Sequence, residues 1–186
     1  MRQEEIAERL GLSLAPVREA LAVLEQEGQL TYLPRRGYFV TELSLDDLRE
    51  IYDLRRLVEE RAARQALSLL DDDAHERIKL AARDCEEAVA RGDVTAELEA
   101  NRRFHFSVLE APGQAHTMRV VRLLWDSTET YRALYYNDPA DRDDSLAAHR
   151  RIIEALEAAD PDRLVAELDD HREAALQRLA SLLGRP

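Results

Sequence analysis

Three histidines stand where a coordination site could be built. His105 follows Asn101 by four residues and shares a helix face with Leu98 and Val108; His149 lies between Leu146 and Ile153; His171 follows Leu168 and precedes Ala175. Each therefore falls on the apolar, core-facing stripe of a separate helical segment. The chain has only five histidines. The other two, His75 and His116, sit in first turns among polar neighbours and read as solvent-facing. Neutral imidazoles gathered in a bundle core need donors or a cation to satisfy their lone pairs. A divalent transition metal does this directly, zinc first, with nickel, manganese or iron as alternatives. A cluster joined only by hydrogen bonds is the competing reading of the same pattern. Arg55 is a further candidate, on the inward stripe of "LREIYDLRRLVEE" beside Ile51, Tyr52 and Val58. It could grip a ligand carboxylate bidentately, or simply pair with Glu59 one turn on.

The elements that must position these residues are helical. From Ser44 the chain runs as six segments divided by turn residues. "SLDDLREIYDLRRLVEERAARQALSLL" opens on a Ser44–Asp47 capping signal. The next segment begins among aspartates and ends at Gly92, and the third stops at Pro112 and Gly113. The fourth ends before Pro139, the fifth before Pro161, and the sixth starts at Pro161. Short connections between them predict an antiparallel bundle. Glycine and proline number 6 each against a background rich in Ala, Leu, Glu and Arg, which favours helix throughout. The expected class is mainly α, with a domain over 1–42 and a six- to seven-helix bundle over 43–186.

The first forty residues have a different pattern. "QEEIAERLGL" places Ile6, Ala7 and Leu10 on one helical face and ends at Gly11. Ser13 is the expected N-cap of a second helix, with Pro16 tolerated in its first turn and Val17, Leu21 and Leu24 continuing the apolar face. Two short helices joined by a tight turn form a helix-turn-helix. "LTYL" and "YFVTEL" alternate as two strands around "PRRG", a wing. Such a second helix can lie in the major groove with its first turn toward base edges, and Arg18 projects from that turn. Gly37 would let the wing backbone approach phosphate, with Arg35 and Arg36 supplying charge. A protein-docking module with solvated arginines is the alternative. The charge is divided accordingly. The whole chain is at −12, of which residues 1–41 carry −1 and residues 42–186 carry −11. The acidic body argues against wrapping nucleic acid along its length, while a small separate module can still make a local contact.

Apolar residues make up 45% of the chain, enough for a real core. No apolar run approaches the roughly 18 residues that span a bilayer, so no membrane partner is expected. The N-terminal residues lack a signal-peptide pattern, and the lone Cys85 allows no internal disulfide. A cytoplasmic protein is the expectation.

The stretch "IAERLGLSLAPVREALAVLEQEGQLTYLPRRGYFV" resembles the winged helix-turn-helix of the GntR family of bacterial transcription regulators. "YDLRRLVE", "NRRFHFSVLEAPG", "SLAAHRRIIEALEAAD" and "DDHREAAL" resemble the FCD ligand-binding domain of its FadR-type members. The resemblance implies a DNA-binding regulator acting as a homodimer on double-stranded operator DNA. It implies contacts to DNA from the second helix, which includes Ser13, Pro16 and Arg18, and from the wing residues Arg35, Arg36 and Gly37. It further implies a metal held by Asn101, His105, His149 and His171, and a small carboxylate metabolite over the metal, gripped by Arg55. Leu14 and Ala15 stand where the family usually has a basic residue and often a threonine. Asn101 stands where many relatives have aspartate, Ala148 where glutamate is frequent, and Gln114 where asparagine is usual. The family's domain also begins with a helix ahead of "EEIAERL"; a module apparently lacking it is expected to be marginally stable. Two other functions are weighed. One is a metal-dependent hydrolase, for which Glu110 and Asp144 are the available carboxylates. The other is a dimeric scaffold without a metal.

Overall fold

The computed structural model describes residues 2–42, 44–110, 113–135 and 139–183. These form two units, Met1–Ser44 and Leu45–Pro186, described separately.

The first unit contains α1 (Gln3–Leu10), α2 (Leu14–Gln26) and the hairpin β1 (Leu30–Leu33) and β2 (Gly37–Val40). Gly11 ends α1 at φ 64°, a left-handed conformation that closes the turn between the two helices and that glycine adopts without a Cβ clash. Ser13 occupies the N-cap of α2 with extended backbone, but its side chain makes no capping bond, contrary to the expectation for a serine there. The strands pair antiparallel from Leu30↔Val40 to Leu33↔Gly37. The loop is thus Pro34–Arg36, and Gly37 opens β2 rather than standing at the tip. Ala7, Val17, Leu21, Leu30 and Tyr38 form the core of this unit.

The second unit contains α3 (Leu45–Leu67), α4 (Asp72–Arg91), α5 (Val94–Leu109), α6 (Ala115–Tyr135), α7 (Pro139–Glu157) and α8 (Pro161–Leu183). The expected stop at Pro112 lies outside the described residues. Aspartates start three of these helices. Asp71 Oδ1 accepts from Ala74 N at 2.8 Å, Asp93 Oδ1 from Ala96 N at 3.0 Å, and Asp160 Oδ1 from Arg163 N at 3.0 Å. Each satisfies an orphan amide and places negative charge at a positive helix end. α3 packs against α5, α6 and α8; α4 packs against α5 and α7; α7 packs against α8. Trp125, Phe104, Ile78, Leu109, Ile152 and Leu164 are fully buried between them. At about 2–5 kcal/mol for each large core side chain truncated, this core is what holds the imidazole-bearing helices in register.

Candidate functional site

The three stripes converge. One ring nitrogen from each of His105 (α5), His149 (α7) and His171 (α8) lies within 4.8 Å of the other two. The His105 and His171 rings stack with centroids 5.0 Å apart and planes at 11°, while His149 meets each edge-on at 5.2 Å. His105 and His149 are buried and His171 is half-buried. Neither ring nitrogen of His149 has a hydrogen-bond partner among the described residues, and the buried Oδ1 of Asn101 has none. Leaving a buried polar group unsatisfied costs about 1–3 kcal/mol each, so these atoms call for a partner. Burial, then the neighbouring histidines and Arg55, push His105 well below its ordinary pKa; burial and then His171 do the same to His149. Burial and then Arg55 and Arg172 bring His171 down to about 4. At neutral pH the three rings are uncharged, with lone pairs free to ligate. This donor set fits a divalent cation.

Arg55, Arg132 and Arg172 border a small cavity of about 40 Å³ that His105, His171 and Asn101 also line. Arg55 is buried, and its Nε donates to Glu59 Oε1 at 2.8 Å. The ion pair that sequence spacing suggested is present, but it lies in the interior and extends further than a single turn. Arg172 reaches Glu59 Oε2 from α8, with Nη2 at 2.9 Å, and Trp125 Nε1 donates to Glu59 Oε1 at 2.7 Å. Glu59 thus ties α3, α6 and α8 together beside the cavity. Burial alone would raise its carboxyl, but Arg55 and Arg172 outweigh burial and hold it below the usual carboxylate range. The Trp125 ring has the Arg55 guanidinium carbon 4.3 Å and that of Arg132 4.1 Å from its centroid, a cation–π arrangement in a desolvated place. Trp125, Arg132 and Arg172 were not singled out from sequence, and Glu59 was named only as a partner for Arg55. The adjacency of Arg172 to His171, and the placement of the only tryptophan, are the signals that could have found them.

Glu97 stands one turn before Asn101 on α5, buried, with Arg142 Nε 3.4 Å from its Oε2. Burial lifts its carboxyl to about 7 against the pull of Arg142. The folded value lies above the unfolded one of about 4.3. Stability linked to this group is therefore complete below about pH 4 and is lost as pH rises toward the folded value. Replacing Glu97 by glutamine should remove that slope. Urea titrations should show wild type losing roughly 2–4 kcal/mol against Glu97→Gln between about pH 4.5 and 7.5. A constant difference over the range would show that Glu97 does not titrate there.

The hydrolase reading loses its carboxylates. Glu110 pairs with Arg122, and Asp144 pairs with Arg178 at 3.1 Å. Of the outer histidines, His116 is exposed and His75 Nδ1 lies 3.0 Å from the Asp71 carbonyl oxygen.

In the first unit Ser13, Leu14, Ala15, Pro16 and Arg18 are all exposed at the start of α2. Arg18 makes one long contact, Nε to Gln3 Oε1 at 3.4 Å. Arg35 has φ 65°, an uncommon left-handed placement for a side-chain-bearing residue, and Arg36 lies 5.5 Å from the centroid of Phe39. Both arginines are exposed on the hairpin loop, as a wing requires.

The FCD domain family matches residues 50–174, and the family of bacterial regulatory proteins called gntR matches residues 1–40. A probable D-xylose utilization operon transcriptional repressor from Paenarthrobacter nicotinovorans is 33% identical over 99% of this chain and 80% of its own length. The HTH-type transcriptional repressor RspR of Escherichia coli is 22% identical over 92% of this chain and 75% of its own. Among solved structures, E. coli McbR/YncC superposes with a TM-score of 0.89 at 22% identity, covering 98% of this chain and 87% of that one. A putative GntR regulator from Rhodococcus sp. RHA1 gives 0.83 at 21% identity, covering 97% and 86%.

Proposed function

The chain belongs to the GntR family of bacterial transcription regulators, with an FCD domain as its helical body, and on that premise we propose that a divalent metal and a small carboxylate bound in that body set its affinity for operator DNA. It is a DNA-binding regulator and not an enzyme, as are the families and relatives it matches. Among the described residues no helix is long and apolar enough to cross a membrane.

The observation that carries the proposal is the juxtaposition in one bundle of unsatisfied ligand atoms and buried guanidiniums. His105, His149 and His171, with Asn101 Oδ1, would hold the metal. A bound cation supplies a Lewis-acid contact for one oxygen of a carboxylate. Arg55 would take another oxygen, its planar fork oriented by Glu59 and Trp125. The four ligands are neutral, so they leave the charge of the metal for the anion to offset. Zinc is the first choice, with nickel, manganese and iron as alternatives. Replacing Asn101 by aspartate should tighten metal binding, read by competition with a chromophoric chelator; unchanged affinity would count against Asn101 as a ligand.

In the first unit, the N-cap Ser13 and the α2 residues Pro16 and Arg18 would face the major groove. Arg35, Arg36 and Gly37 would follow the adjacent backbone. Two copies would read two half-sites, since a two-fold protein matches a two-fold operator. Footprinting on the DNA upstream of its own gene, with and without candidate acids, tests this directly. Paired protected half-sites whose protection responds to an acid are expected, and an absence of protection would overturn the proposal.

A further inference from the structure

The turn that opens α2 carries no charge. It consists of Leu14, Ala15, Pro16 and Val17. Val17 points inward and is 3% exposed, while Leu14 is 40% exposed and Ala15 and Pro16 lie in solvent. Leu14 belongs neither to the core of the first unit, Ala7, Val17, Leu21, Leu30 and Tyr38, nor to the partly buried Ile6 and Leu24 packed against it. Core packing therefore does not account for a leucine at this position. Arg18 follows Leu14 by four residues and Ala15 by three, so the three side chains share one outward helix face. Arg18 is the only cation on α2.

This is the face that the proposed function sets against the major groove. Base edges there present ring nitrogens, carbonyl oxygens and amino groups, all polar, and one apolar group, the C5 methyl of thymine. Leucine and alanine side chains have no donor or acceptor to offer. Set against a polar base edge they strip its water and return nothing; set against a methyl they bury apolar surface on both sides. The charge of the unit points the same way. Residues 1–41 carry −1 overall, so phosphate attraction is modest and discrimination falls to contacts with the bases.

We propose that Leu14 and Ala15 are specificity-determining residues that read C5 methyl groups in the major groove, so that each operator half-site carries thymine where they land. This rests on the DNA-binding reading given above and adds what the first turn of α2 recognises. Arg18 is then the one guanidinium on this face able to donate to guanine O6 and N7. The methyl of 5-methylcytosine offers the same apolar surface as that of thymine, and the two are separable by experiment.

The test uses the full chain and the DNA upstream of its own gene. Footprinting locates the half-sites. Fluorescence anisotropy then gives Kd on duplexes in which each thymine of a half-site is replaced in turn by uracil, which removes the methyl and keeps the pairing. One or two thymines per half-site should each lose about fourfold in affinity, as expected for one buried methyl. Leu14→Ala should remove the sensitivity at one of them and Ala15→Gly at the other, with far-UV circular dichroism unchanged because both residues are exposed. Leu14→Arg should move the preferred base there from thymine to guanine. At the same position 5-methylcytosine should bind more tightly than cytosine; equal binding by the two would overturn the methyl as the group recognised. No protection anywhere on the upstream DNA would overturn the DNA-binding reading as well. Protected half-sites indifferent to every uracil, or a sensitivity that neither variant reduces, would overturn this assignment alone.

Discussion

Replacing His149 by leucine should abolish the metal response of the helical body while making its metal-free form more stable. His149 is buried with both ring nitrogens unpartnered, and burial holds it neutral. Without metal this imidazole is a liability of about 1–3 kcal/mol, which an apolar side chain of similar size removes. With metal it becomes one of three imidazole ligands. Zinc at about a thousand times its Kd should stabilise wild type by about 4 kcal/mol, a rise in Tm of roughly 8–16 °C for a domain of this size. His149→Leu should show almost no rise and should start from a higher metal-free Tm. Differential scanning fluorimetry with and without zinc reads both quantities. A variant that keeps the wild-type zinc shift would remove His149 from the site, and one with a lower metal-free Tm would mean that its ring is satisfied in the metal-free protein.

The second large effect concerns Glu59. Its carboxylate holds Arg55 from α3, Arg172 from α8 and the Trp125 indole from α6. Glu59→Ala strands two buried guanidiniums, and breaking a buried ionic network from one side costs about 3–5 kcal/mol. Glu59→Gln keeps an acceptor oxygen for Trp125 and Arg55 but loses the charge, so its loss should be smaller. Urea titration measures both. The folded pKa of Glu59 lies below its unfolded value, so its contribution is present above the ordinary carboxylate pKa of about 4.3 and is lost as pH falls through the lower folded value. The penalty of Glu59→Ala should therefore shrink in acid. A penalty under about 1 kcal/mol at neutral pH would mean that water replaces the carboxylate at little cost.

The helices and the imidazoles were legible in sequence because both follow from the 3.6-residue repeat. Aspartates at helix starts and glycine or proline at the ends divide the body into six segments, and a histidine on an apolar stripe must point inward. The periodicity also put Arg55 inward and Glu59 within its reach. It could not show that Glu59 is shared with Arg172, 113 residues away, or with Trp125, 66 away. Those contacts depend on how whole helices dock. Glu97 was hidden for another reason: an acidic residue in a first turn reads as a solvated partner of the helix dipole, whereas here it faces the interior. The hairpin was predictable from alternation around "PRRG", but the missing Ser13 cap depends on a side-chain rotamer that sequence does not specify.

The central claim is that the helical body senses an anion through its metal and reports it to DNA. The direct measurement is operator affinity of the zinc-loaded full chain by fluorescence anisotropy, across a panel of small carboxylates, beside His149→Leu. At least one acid should change the wild-type Kd by roughly 5–150-fold and leave the variant unmoved. An equal shift in the variant, or no shift with any acid, would contradict it.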